Sequence, residues 1–188
     1  QAAQMAVPEA AFILHGGDMT GGKRTDWQYF YYLNQDTLMN TLIAPAAGEY
    51  DADGFTDYFN VGDTGYYSFD YANVHFAVLN TNEDGNQCIS DTQLAWLRDD
   101  VALARENGAE WIILNTHKGP YTSGSHAQDE EIQGLREVLL PIIDELKIDL
   151  VIQGHDHILG RTYAVKDGKV TGKTAYTEMV NGKRFEYS

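Results

Sequence analysis

The sequence predicts an α/β layered fold with some parallel strands, and three observations lead there. Apolar runs of strand length stand at residues 11–14, 111–114 and 148–152, each leading into glycine, histidine or aspartate, as buried strands do. Between them lie stretches whose apolar residues recur at helical spacing. The resulting order of strand, helix, strand pair, helix, strand, helix, strand is that of layers packed about a sheet. A single domain is expected over residues 1–188, because 188 residues with 43% hydrophobic content suffice for one sizeable core.

The first run ends in His15-Gly16-Gly17-Asp18 and opens into a flexible loop, Met19-Thr20-Gly21-Gly22-Lys23. Thr25-Asp26 reads as the cap of a helix through Trp27, Phe30, Tyr31 and Leu33 that extends to about Leu42. Residues 44–65 read as a solvated acidic loop: Pro45 and four glycines interrupt it, and Glu49, Asp51, Asp53, Asp57 and Asp63 supply its charge. Residues 66–80 read as two short strands joined at Ala72-Asn73, with Val74, Phe76 and Val78 on one face and His75, Ala77 and Leu79 on the other. His75 is expected to be a packed strand residue.

Ser90-Asp91 caps the next helix, whose stripe is Leu94, Leu97, Val101 and Ala104, with Gly108 at its end. A further helix opens on Asp129-Glu130-Glu131, acids suited to its positive end, and continues through Ile132, Leu135, Leu139 and Ile142 with a kink expected near Pro141. Asp167-Gly168 signals a β-hairpin, and Asn181-Gly182 signals a second.

The net charge of -15 argues against non-specific nucleic-acid binding, which needs phosphate neutralisation by Lys and Arg. The apolar runs fall far short of the roughly 20 residues a membrane-spanning helix needs. Cys88 is the single cysteine, so no intrachain disulfide is available, and it reads as a thiol without a role. The first six residues read as the end of a helix, so the natural N-terminus is expected upstream.

The candidate chemistry lies at strand ends. The run at 148–152 leads to Gly154-His155-Asp156-His157, the run at 111–114 to His117, and the run at 11–14 to Asp18. In open α/β sheets ligands bind outside the carboxyl ends of strands, and neutral imidazole is the commonest metal ligand. Taken alone, His155-x-His157 is as consistent with loop histidines as with ligands. His126 lies close in sequence to His117; it reads as an exposed loop histidine that could reach a substrate.

Five stretches in order carry a resemblance: Gly17-Asp18; residues 66–71 with Val74-His75-Phe76; Gln93-Leu94-Ala95-Trp96-Leu97; His117-Lys118-Gly119-Pro120-Tyr121; and Gly154-His155-Asp156-His157. Over residues 7–165 the chain resembles the calcineurin-like metallophosphoesterases, most nearly their bacterial purple-acid-phosphatase-like branch. The resemblance implies a layered β-sandwich flanked by helices, here shortened at both ends. It implies two transition metal ions (Zn, Fe or Mn), with Asp18 bridging them, His117 and His155 on one and His157 on the other. Asp18 and His117 are thereby the catalytic candidates, and the reaction is hydrolysis of small phosphomonoesters by metal-activated water. Two cations about 3.5–4 Å apart suit that chemistry, since they clamp a phosphate and stabilise charge on attacking and leaving oxygens.

The chain departs from the family pattern in two places. The family's opening Asp-x-His motif is absent and would precede residue 1, and Gly48-Glu49-Tyr50-Asp51 stands where the family has Gly-Asn-His-Asp. Glu49 or Asp51 then substitutes for the asparagine ligand, with Glu49 the first candidate, or the motif is lost. One metal, or none, is expected in place of two. The alternative function is an impaired or inactive phosphoesterase fold serving as a binding, structural or self-assembling subunit. An extracellular or cell-surface bacterial protein is expected by analogy, with no expectation about oligomeric state.

Overall fold

The computed structural model describes residues 5–83 and 87–172, together with the backbone of Tyr176–Val180 and Lys183–Tyr187. The chain divides into two compact units, Gln1–His157 and Ile158–Ser188. In the first unit, strand β1 (Phe12–His15) leads to helix α1 (Asp26–Leu38), strand β2 (Leu42–Pro45) and a single helical turn α2 (Phe55–Tyr58). Strands β3 (Tyr67–Tyr71) and β4 (Val74–Val78) follow, then α3 (Asp91–Glu106), β5 (Trp111–Thr116), α4 (Glu130–Leu146) and β6 (Leu150–Gln153).

Strands β3, β4, β5 and β6 form one sheet in that order; β3 runs antiparallel to β4, while β4–β5 and β5–β6 are parallel. Parallel neighbours carry their C-terminal ends to the same edge, which is where β5 and β6 deliver His117 and His155. A separate parallel pair, β1–β2, aligns His15 with Pro45. The pair meets the larger sheet through aromatic edges: Phe12 lies 5.3 Å from both Phe69 and Phe76, ring centre to ring centre. At the strand ends, Asn115 donates its Nδ2–H to the His15 carbonyl at 3.1 Å. That bond ties the C-terminus of β1 to β5.

Helices α3 and α4 cover the sheet through one buried cluster that includes Leu79, Leu94, Leu97, Val101, Ile112, Leu114, Leu135, Leu139 and Ile142. Each such side chain, fully buried, contributes about 1.5–3 kcal/mol. Helix α3 starts as its sequence foretells, with the Ser90 hydroxyl accepting from the Gln93 N–H. Helix α4 runs continuously through Pro141 to Leu146, with Glu130 and Glu131 in its first turn. A second cluster gathers Trp27, Ala47, Phe55 and Phe59 beneath the loop after β2, and the Trp27 indole N–H donates to the Asp53 carbonyl at 2.8 Å.

Three expectations are corrected. Helix α1 stops at Leu38, and residues 42–45 form β2 in place of a helix end and loop. Thr25 makes no capping hydrogen bond; the Asp26 carboxylate instead accepts from Gly21 and Lys23 N–H groups. The acidic loop is not solvated throughout, because Asp51 is fully buried.

The second unit contains the expected hairpin, β7 (Ala164–Lys166) and β8 (Lys169–Gly172), turning at Asp167-Gly168 with both residues at positive φ. Strands β9 (Tyr176–Val180) and β10 (Lys183–Tyr187) pair antiparallel. The turn expected at Asn181-Gly182 lies outside the described residues.

Candidate metal centre

The site is built where β1, β2, β5 and β6 end. After β5, His117 is 1% exposed, and its Nδ1–H donates to the Gly16 carbonyl at 2.6 Å. A carbonyl only accepts, so in the neutral ring this bond leaves the lone pair on Nε2. That atom is buried without a hydrogen-bond partner, although Asp18 Oδ2 lies 3.3 Å away. After β6, His155 is buried, and its Nδ1 lies 3.2 Å from Glu49 Oε2. Its Nε2 is likewise buried without a partner. One ligand atom from each of Glu49, His117 and His155 lies within 4.8 Å of the others.

The backbone is committed to this approach. Gly17 has φ 94°, and a Cβ there would fall 2.5 Å from His117 Nδ1. A Cβ on Gly48 would overlap the Asp18 carboxylate. Asp18 (φ 55°), His155 (φ 70°) and His157 (φ 50°) all hold left-handed backbone without being glycine, a conformation costing on the order of 1–3 kcal/mol each.

Electrostatics separate the histidines. Burial pushes His155 below its ordinary value; Glu49 opposes this, while His117, His126 and Lys118 reinforce it. The ring is thereby kept neutral and available as a ligand. Burial also lowers His15, whose Nδ1 accepts from the Gly17 N–H at 3.1 Å. His126, on the short 3-10 turn Ser125–Gln128, is raised by its hydrogen bond to Asp129. Its ring lies 4.3 Å from that of His155.

Orphaned nitrogens on two buried imidazoles beside a carboxylate form an N/O donor set suited to Zn, Fe or Mn, so the residues fit a transition metal. Leaving such groups unpaired has a desolvation cost of about 1–3 kcal/mol apiece.

The family model for calcineurin-like phosphoesterases matches residues 3–159. The chain belongs to the calcineurin-like phosphoesterase family. It is 32% identical to purple acid phosphatase 22 of Arabidopsis thaliana over 104 residues, which is 55% of this chain and 23% of that protein. The chain thus spans about a quarter of that relative's length. Among solved structures it is similar to the purple acid phosphatase PPD1 from yellow lupin seeds, with TM-score 0.68 and 18% identity over 80% of this chain and 31% of that one. It is also similar to GAP50, the anchor in the inner membrane complex of Plasmodium, with TM-score 0.60 and 18% identity over 82% of this chain and 58% of that one. The fold is therefore that of a calcineurin-like phosphoesterase in mixed α/β form, and metal use follows from the family.

Within this phosphoesterase fold the expected residues do not all meet. Glu49, His117 and His155 come together, and Asp18 adjoins them through His117. His157 is exposed and lies outside the three-residue group. Asp51 is occupied elsewhere: Oδ1 accepts from the Met19 and Thr20 N–H groups and Oδ2 from Gly48 N–H, at 2.9–3.0 Å. It clamps the loop after β1 to the loop after β2.

Two participants do not stand out in the sequence. His15 orders the Gly16-Gly17 turn; its place at a strand end beside Gly17-Asp18 is a usable signal. Lys118 is buried, with Nζ 2.9 Å from Glu131 Oε2 and 3.6 Å from Glu49 Oε2. No pattern distinguishes it from a surface lysine.

Proposed function

We propose that this chain carries a phosphomonoester-hydrolysing site in which Glu49, His117 and His155 hold one divalent transition metal ion, with Asp18 beside it. The observation that supports this most is the pair of buried, unpartnered Nε2 atoms on His117 and His155. A metal bound there supplies Lewis acidity to a phosphoryl oxygen and to the attacking water. The protein's own part is positional. Gly16 fixes the His117 tautomer through Nδ1, and hydrogen bonds of that kind behind a ligand orient it and raise its basicity. Asp18 Oδ1 accepts from the Tyr50 N–H at 3.2 Å, which holds the carboxylate toward His117.

His126 is the proton donor to the leaving oxygen in this reading. Its side chain is 40% exposed, its hydrogen bond to Asp129 favours the protonated ring, and its ring lies tilted 4.3 Å from that of His155. The net charge of -15 disfavours polyanionic partners, so small phosphate esters are the substrate class, and an exported bacterial protein is the setting we assign. No helix among the described residues is long and apolar enough to cross a membrane.

A second reading is a non-catalytic subunit on the same fold. Tyr50, 51% exposed, stands where the family pattern has histidine, and that substitution favours it. Elemental analysis with Mn, Zn or Fe, paired with hydrolysis of an aryl phosphate, separates the two. Bound metal with turnover that Asp18→Asn and His155→Ala abolish supports the enzyme. Bound metal without turnover in any condition supports the second reading.

A further inference from the structure

Asp156 stands between the two histidines of Gly154-His155-Asp156-His157 and outside the group of possible ligands, and the proposed chemistry gives it no task. The backbone on either side of it is left-handed, at His155 and at His157, and its own N–H donates to the Gly154 carbonyl at 2.9 Å. The turn sends successive side chains to different neighbours. His155 faces Glu49, His157 is exposed, and Asp156 meets the loop over residues 122–128.

Asp156 grips that loop at its crest. Its Oδ1 accepts from the His126 backbone N–H at 3.3 Å, and Gly124 lies so close that a Cβ there would strike the carboxylate. Gln153, at the end of β6, holds the base of the same loop by donating from Nε2 to the Tyr121 carbonyl at 2.7 Å. The end of β6 therefore carries His155 together with two holds on the loop whose His126 ring lies 4.3 Å from it. A proton donor on a loop acts only when it is kept in register with the reacting atoms, and a carboxylate accepting from a backbone N–H is among the stronger hydrogen bonds.

On the proposed reading of His126 as the proton donor, we infer that Asp156 is a positioning residue: it latches the 122–128 loop onto the end of β6 and so seats His126 beside His155. The latch matters most for esters with a poor leaving group, such as alkyl and phenyl phosphates, because their leaving oxygen needs the proton.

The test compares the wild-type chain with Asp156→Ala, Asp156→Asn and Gly124→Ala. In the metal-free proteins, amide hydrogen exchange at His126 quickens about tenfold or more in Asp156→Ala, the worth of one hydrogen bond to a charged group, while the amides of β5 and β6 keep their protection. Asp156→Asn, whose Oδ1 still accepts, restores the protection at His126. Gly124→Ala removes it from the loop side, and so decides the matter where Asp156→Ala does not fold. With Mn2+ or Zn2+ supplied, Asp156→Ala lowers kcat about tenfold more on phenyl phosphate than on para-nitrophenyl phosphate, with KM and metal content near the wild type, and it adds nothing to the loss in His126→Ala. Equal losses on the two esters, or losses that add to those of His126→Ala, overturn the positioning role. Unchanged exchange at His126 in a folded Asp156→Ala overturns the latch whatever the turnover. A wild type without turnover overturns the phosphoesterase reading instead, and the exchange data then uphold or overturn the latch by themselves.

Discussion

Two buried histidines, His75 on β4 and His155 after β6, show how a residue of one kind is put to opposite uses. Both ring nitrogens of His75 face carboxylates, Nδ1 to Asp70 at 2.7 Å and Nε2 to Asp100 at 2.8 Å. Burial works against its charge, but the hydrogen bonds to Asp100 and Asp70 outweigh burial and raise it. Ser68 completes the arrangement by donating to Asp100 at 2.8 Å. His155 has one nitrogen near Glu49 and the other with no partner, and it is lowered. A histidine satisfied on both sides is an internal cation that fastens β3, β4 and α3. One left open on a buried nitrogen has the lone pair that the proposed metal site requires.

The largest test of this contrast falls on the open histidines. His117→Ala is expected to weaken metal binding by about 100-fold or more, since even supporting residues of metal sites contribute about 10–100-fold. The metal-free variant should lose about 1–3 kcal/mol of stability, because alanine also removes the Nδ1–H bond to the Gly16 carbonyl of this buried ring. Titration and thermal unfolding measure the two halves, and metal affinity unaffected by His117→Ala would dissolve the distinction.

Next in size, His75→Gln is expected to cost about 2 kcal/mol of stability, chiefly from leaving the mostly buried Asp100 carboxylate poorly paired. Urea unfolding reads this loss, while metal content stays at the wild-type level. A fall in metal content on His75→Gln would mean the two histidines are not independent.

The same pair sets a pH signature. Because the folded-state value of His75 is raised above the unfolded 6.5, its contribution is fully present below that value and is lost as pH rises through the folded value. The stability gap between wild type and His75→Gln should therefore narrow on going from about pH 6 toward pH 9, by roughly 1.4 kcal/mol for each tenfold by which folding tightens the ring's hold on its proton. A gap that widens with pH would reverse the assignment of His75 as a cation. The smallest effect is expected from Asp70→Asn: that carboxylate is 66% exposed, so the loss should stay within about 1 kcal/mol. A larger loss in the same urea experiment would transfer the anchoring role from Asp100 to Asp70.

Much of the frame was legible because its signals are local. Runs such as Trp111-Ile112-Ile113-Leu114 declare buried strands, Ser90 declares a helix start, and Asp167-Gly168 declares a turn. Strand β2 was hidden because Leu42-Ile43-Ala44-Pro45 is short, ends in proline and follows a helix without a break signal; pairing with β1 makes it a strand. Asp18, His117 and His155 were legible as candidates since they sit at strand ends. The burial of Asp51 and Lys118 was not, because it depends on donors and acceptors 31 and 37 residues away, at Thr20 and Thr81.

The glycines at positions 17 and 48 limit how this site can diverge. A side chain at either would strike His117, Asp18 or their backbone, so the course of the main chain around the ligands is closed to gradual change. Position 49 has no such restriction, its side chain being one-third exposed. The geometry therefore leaves the side chain at position 49 exchangeable on an unchanged frame.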